Sequence, residues 1–202
     1  MITLTLVRHG ESRGNASGLI DSSVPGPSLT DLGESQAMSL ANRLKSNAYD
    51  GVFASSMIRT QQSALPIAQL LAKDITVLPG LREIEAGTYE GTPEAKAATG
   101  YLRTILAWAH GKREERIPGS IDGNDFEKRF NDAVETICNR GDTHPIAFSH
   151  GGAITAWVLM NAVNARTAVP ASSTLPNTGY VVLQGDPKNG WTVTDWNGTP
   201  VA

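Results

Sequence analysis

Hydrophobic positions along the chain switch between two periods, and the switches outline the elements. Ile2 to Val7 set apolar residues around Thr3 and Thr5, which reads as a strand by its β-branched enrichment. Gly14 to Ser28 is rich in Gly, Ser and Pro without a period and reads as a loop rather than a helix. Thr30 then opens a helix, with Asp31 and Glu34 favouring its positive end and Ala37, Leu40, Ala41 and Leu44 at helical spacing. Gly51 to Ala54 reads as a second strand. Ala64, Ile67, Ala68 and Leu71 again share a helical face, where Pro66 predicts a kink or a split into two short turns.

Ile75 to Leu78 predicts a short strand, and Pro79 to Gly91 an irregular segment carrying Glu83, Glu85 and Glu90. Ala95 to His110 reads as a helix whose Tyr101, Ile105 and Trp108 share a face, more simply core than a ligand platform. Asp125 to Cys138 is amphipathic, Pro145 to Ser149 is a buried strand, and Ala153 to Met160 is apolar nearly all round, as a helix buried on several sides requires. Tyr180 to Gln184 and Trp191 to Asp195 predict a hairpin across Asp186 to Gly190.

Alternating strands and helices imply an α/β fold, a three-layer α/β/α sandwich around a mostly parallel sheet. A length of 202 residues suits one domain spanning 1–202, with 92–123 as an inserted cover over the active site. A net charge of -3 argues against nucleic-acid or membrane-surface partners, and no apolar run reaches membrane-spanning length. Cys138 stands alone and the start of the chain has no secretory pattern, so a reducing, cytoplasmic setting is expected.

The chemistry enters where the first strand ends. Arg8 and His9 fall at its carboxyl tip, where ligands of open α/β sheets gather, and Gly10 is read as letting the backbone turn and approach a ligand. The second strand delivers Arg59 to the same rim, and Pro145 to Ser149 delivers His150.

Four segments in order, Arg8-His9-Gly10-Glu11-Ser12 with Asn15, then Ser55-Ser56-Met57-Ile58-Arg59-Thr60, then Leu81-Arg82-Glu83 with Gly87 and Glu90-Gly91, then Ser149-His150-Gly151-Gly152, resemble the histidine phosphatase superfamily in its phosphoglycerate-mutase-like branch. The resemblance implies that His9 is phosphorylated during turnover and that Glu83 is the catalytic acid. It further implies a phosphate clamp of Arg8, Arg59 and His150. Asn15, Ser22 and Arg13 are the expected substrate contacts. The implied substrate is a small phosphorylated metabolite, with no metal and no cofactor.

Elementary chemistry supports those roles. A phosphate monoester is a dianion, so a neutral imidazole approaches it without the repulsion a carboxylate would add, and neighbouring arginines keep the ring neutral. Arginine forks onto phosphoryl oxygens and stays charged. A carboxyl group can protonate the leaving alcohol and then take a proton from the hydrolytic water. Of the other acids, Glu11 directly follows the nucleophile, and Glu85 and Glu90 miss the motif position.

Rival readings remain at this stage. Gly10-Glu11-Ser12-Arg13-Gly14 matches the G-x-S-x-G elbow of serine hydrolases, but too few residues precede Ser12 to supply an oxyanion hole. A metallohydrolase built on His9 and His150 is disfavoured because arginines cannot ligate cations. A mutase would use the same site, but would need adjacent cations for a substrate carboxylate, and only Lys112-Arg113 are available. A silent phosphate-binding protein is the remaining alternative.

Overall fold

The computed structural model describes residues 1–170 and 175–201. Seven strands form one sheet: β1 (Ile2–Arg8), β2 (Gly51–Ala54), β3 (Ile75–Val77), β4 (Pro145–Ser149), β5 (Tyr180–Asp186), β6 (Gly190–Trp196) and β7 (Thr199–Pro200). Their order is β3-β2-β4-β1-β5-β6-β7. The four strands from β3 to β1 run parallel, and β5 to β7 continue as an antiparallel edge.

Side chains alternate between the two faces of a strand, and each face here meets its own core. Leu4, Leu6, Phe53 and Ala147 join one cluster with Trp108, Phe126, Phe130 and Trp157. Val7, Val52, Ala54, Ile146 and Phe148 join the other with Leu40, Leu44, Ala64 and Ile67. Helices α2 (Asp31–Leu44) and α3 (Ile58–Leu71) cover the second face. Three more lie on the first face: α5 (Arg103–Ala109), α6 (Gly123–Asn139) and α7 (Gly151–Asn161). The expected three-layer architecture is therefore present, and Trp108, fully buried against Phe126, is core.

Several boundaries differ from the sequence expectation. The Gly14 to Ser28 loop contains a short helix, α1 (Arg13–Ser17), because Ser12 and Asn15 form a reciprocal capping box. α3 is a single helix through Pro66, not two short turns, with Ala64, Ile67 and Ala68 anchored in the core on both sides of the missing N–H. The predicted Ala95 to His110 helix is broken into α4 (Glu94–Ala97), a π-helical turn over Ala98–Leu102, and α5. The break accommodates the Tyr89 ring, which lies so close to Gly100 that any β-carbon there would collide with it. Helix α6 begins two residues earlier than expected, capped by the Asp122 carboxylate on the Asp125 N–H at 3.0 Å. The short α8 (Ala165–Ala168) and β7 carried no pattern long enough to be read.

Candidate active site

Three adjacent parallel strands end side by side and set the site. β4 lies between β2 and β1, with Arg8 in register with Ser149 and Ala54 with Phe148. The next residues, His9, Ser55 and His150, therefore emerge at one edge of the sheet. His150 is also the N-cap residue of α7, and Arg59 sits in the first turn of α3, buried at 3% exposure. Backbone packing fixes the loop after His9: a β-carbon on Gly10 would lie 2.5 Å from the Gly33 carbonyl oxygen. The glycine is thus required by contact with the start of α2.

His9 is held in one orientation and one tautomer. Its Nδ1 lies 2.6 Å from the Gly10 carbonyl oxygen, which can only accept, so Nδ1 carries the proton. Nε2 then presents its lone pair, and accepts a hydrogen bond from Arg59 Nε at 3.1 Å. Burial holds the His9 pKa well below the ordinary imidazole value, and the Arg59 and Arg8 charges push it the same way. The arginine effect expected from the sequence is present, but desolvation is the larger cause. His9 is therefore a neutral imidazole whose lone pair lies on Nε2.

Around it stand buried nitrogens with no protein partner. Arg8 Nε, Arg59 Nη1 and His150 Nδ1 are buried and make no hydrogen bond among the described residues. Their neighbours are satisfied: Arg8 Nη1 donates to the Leu175 carbonyl at 2.5 Å and Arg59 Nη2 to the Asp21 carbonyl at 3.0 Å. Arg8 also lies over the start of α7, where a β-carbon on Gly151 would sit 3.1 Å from its Cδ. The His9 and His150 rings are edge to face with centroids 5.1 Å apart. Burying polar groups without partners is costly, and an anion beside His9 is the kind of group that would pair them. Burial, followed by the Arg59 charge, holds His150 well below the ordinary imidazole value, and it is neutral too. Desolvation lowers both arginine pKa values, opposed chiefly by Glu83, and they remain charged.

Glu83 reaches the site from the irregular segment. Its carboxylate accepts from the N–H groups of Ile84 at 2.9 Å, Ala153 at 2.8 Å and Gly152 at 3.2 Å. It is thereby pinned on the first turn of α7, where the helix dipole favours a negative group. Gly152 makes this approach feasible, since a β-carbon there would stand 2.9 Å from Glu83 Oε1. The other acids are engaged elsewhere. Glu11 accepts from Thr30 Oγ1, Glu85 pairs with Arg82 and Arg129, and Glu90 accepts from Ser22.

Each of the three expected substrate contacts has protein partners of its own. Asn15 Oδ1 accepts from the Ser12 N–H and from Asn177 Nδ2 at 3.2 Å each, so that oxygen serves the local cap. The Ser22 hydroxyl is buried between the Glu90 carboxylate and the Ala86 N–H, which donates to it at 2.8 Å. Arg13 is exposed, with Nε donating to Ser28 Oγ at 3.3 Å. Other residues support the site without having been singled out. Asn177 donates to the His9 carbonyl at 3.1 Å. Ser63 Oγ accepts from the Gly10 N–H at 2.9 Å and donates to the Arg59 carbonyl at 2.7 Å. Arg129 reaches from α6 to the carbonyls of Gly80, Arg82 and Glu83 at 2.8 to 3.2 Å, holding the segment that carries the acid. Among the described residues, no three His, Cys, Asp or Glu side chains group as metal ligands.

Known proteins resemble this chain along most of its length. The model of the histidine phosphatase superfamily (branch 1) matches residues 4–199. PE-PGRS family protein PE_PGRS11 of Mycobacterium tuberculosis is 41% identical over 216 residues, covering 99% of this chain; the chain spans only 37% of that relative's length. A probable phosphoglycerate mutase GpmB of Cronobacter sakazakii is 31% identical, over 78% of this chain and 74% of its own. Among solved structures, a mycobacterial glucosyl-3-phosphoglycerate phosphatase complexed with VO3 superposes with a TM-score of 0.78 at 21% identity, over 98% of this chain and 99% of that one. That last likeness concerns the fold.

Proposed function

Since the chain belongs to branch 1 of the histidine phosphatase superfamily, we propose that it is a metal-independent phosphatase that hydrolyses small phosphate monoesters through a phosphohistidine at His9. The observation that carries this is a neutral His9, its Nε2 lone pair held by Arg59, beside residues Arg8, Arg59 and His150 that each keep a buried nitrogen without a protein partner. Phosphoryl oxygens would satisfy Arg8 Nε, Arg59 Nη1 and His150 Nδ1, and Arg59 Nε would leave the lone pair as Nε2 attacks phosphorus. The P–O bond to the alcohol breaks as the N–P bond forms, and Glu83, entering this step as the neutral acid, gives its proton to the departing oxygen. Water then attacks phosphohistidine while Glu83 takes its proton back, returning His9 and free phosphate. Fixed charges aimed at the developing transition state supply most of the catalysis.

Hydrolysis is favoured over mutase transfer by the state of Lys112, Arg113 and Arg116 in the 92–123 segment. Lys112 pairs with Glu115 at 3.8 Å, Arg113 with Glu127 at 2.7 Å and Arg116 with Asp122 at 2.8 Å, so each already has an acid beside it. The segment is our proposed cover of the site. It joins α1 through the Glu94 N–H on the Gly18 carbonyl at 3.0 Å, and it joins the Glu83 segment through Ser120 Oγ on the Glu85 carbonyl at 2.6 Å. Among the described residues no helix is long and apolar enough to cross a membrane, and the single Cys138 fits a cytoplasmic setting.

The test is phosphate release from a panel of small esters by wild type and His9→Ala, with and without EDTA. Release that survives chelation and disappears with His9 is expected. Loss on chelation with recovery on adding zinc would favour the metallohydrolase, and isomerisation of 3-phosphoglycerate with a bisphosphoglycerate primer outpacing release would favour the mutase.

A further inference from the structure

Ser55 occupies the junction between the end of β2 and the second histidine, and no step of the reaction above uses it. It is fully buried, and its Oγ lies 2.9 Å from His150 Nε2, 2.9 Å from Thr60 Oγ1 and 3.2 Å from the Met57 N–H that donates to it. Thr60 Oγ1 has two backbone carbonyls to take its only proton, Met57 at 2.7 Å and Ser55 at 3.2 Å. The Ser55 proton can therefore go to Thr60 or to His150, and nowhere else. These two choices fix opposite tautomers of a neutral His150.

If Ser55 donates to Thr60, then Nε2 must donate to Ser55, and a lone pair is left at the buried Nδ1. That lone pair would face phosphoryl oxygens, which are also acceptors. If Ser55 donates to Nε2, the proton sits on Nδ1, the atom without a protein partner. Only the second arrangement turns His150 into a donor for the transferring group. A histidine's second hydrogen bond decides which nitrogen is protonated, so the hydroxyl acts through the ring.

We propose that Ser55 is a positioning residue: its hydroxyl donates to Nε2 of His150 and so holds the ring as the Nδ1–H tautomer that the phosphoryl clamp requires. This rests on the phosphatase reading above, and the two can fail separately.

The experiment is ¹⁵N NMR of histidine-labelled protein saturated with inorganic phosphate, the His150 signals being those missing from His150→Asn. Wild type should show a protonated Nδ1 and an imine-type Nε2. Ser55→Ala should populate the other tautomer and lower kcat on p-nitrophenyl phosphate about 10-fold, less than the ~10²- to 10³-fold expected on removing the donor itself. Ser55→Thr, which restores the hydroxyl, should recover most of both. A wild-type His150 protonated on Nε2 overturns the proposal without any variant having to fold. So does Ser55→Ala with tautomer and rate unchanged. Turnover that is indifferent to His9→Ala would instead sink the phosphatase reading, whatever the tautomer.

Discussion

Replacing Glu83 by glutamine keeps the shape of the side chain and removes its proton, so it separates acid catalysis from mere charge. The carboxylate accepts three N–H groups at 2.8 to 3.2 Å at the start of α7. A glutamine carbonyl in the place of Oε1 keeps the bonds from Ile84 and Ala153 but sets its amide against the Gly152 N–H. One charge-assisted bond and the dipole interaction are lost, about 2 kcal/mol of stability in all. The chemical loss depends on the ester. An alkyl leaving group needs its proton in the transition state, and removing a general acid should lower kcat/KM about 10²- to 10⁴-fold, or roughly 3–5 kcal/mol of barrier. The p-nitrophenolate leaving group departs without help, and its kcat/KM should fall no more than ~10-fold through displacement of the side chain. The assay is kcat/KM, which excludes the later water step common to both esters, for glycerol phosphate and p-nitrophenyl phosphate in wild type and variant, with thermal melts to confirm folding. Equal losses on the two esters would remove Glu83 from the role of acid.

Two further outcomes follow from the same geometry. His9 and His150 both have pKa values held far below the ordinary 6.5, so the unfolded chain binds their protons more readily than the folded one. Their contribution to stability is complete above that value and lost as pH falls towards the folded pKa, by at most ~1.4 kcal/mol per pH unit for each ring. Melting temperatures should decline below about pH 6.5, and the decline should be shallower in His150→Asn; a decline of unchanged slope would contradict the shift. Gly152→Ala puts a methyl 2.9 Å from Glu83 Oε1, which must move because the helix backbone cannot. Activity on alkyl esters should drop on the order of 10-fold or more while the fold survives, and full activity would mean the carboxylate's seat is unimportant.

What the sequence made legible was whatever local patterning encodes. Runs of β-branched residues ending at Val7, Ala54 and Ser149 placed Arg8, His9, Arg59 and His150 on one rim, and the sheet order puts those strands side by side. Glu83 came from its place in a motif, and the structure seats it on α7. The errors arose where composition hid a local device. Small polar residues around Asn15 suggested loop, yet the same Ser12 and Asn15 cap a helix. The partners of the Ser22 hydroxyl, Glu90 and Ala86, were likewise hidden, since no local pattern marks them. Arg129, Asn177 and Ser63 could not be read at all. Each acts through backbone groups far away in sequence, as Arg129 does on the Gly80 carbonyl and Asn177 on the His9 carbonyl, and nothing local marks such a contact.

The central claim is that phosphate passes through His9, and trapping that intermediate tests it most directly. Wild-type protein mixed with substrate, quenched in alkali and digested should yield a peptide containing His9 with one added phosphoryl group, stable to base and lost in acid. Glu83→Gln should accumulate it with p-nitrophenyl phosphate, because the water step is slowed. Turnover with no such adduct, or an adduct on another residue that persists in His9→Ala, would contradict the account.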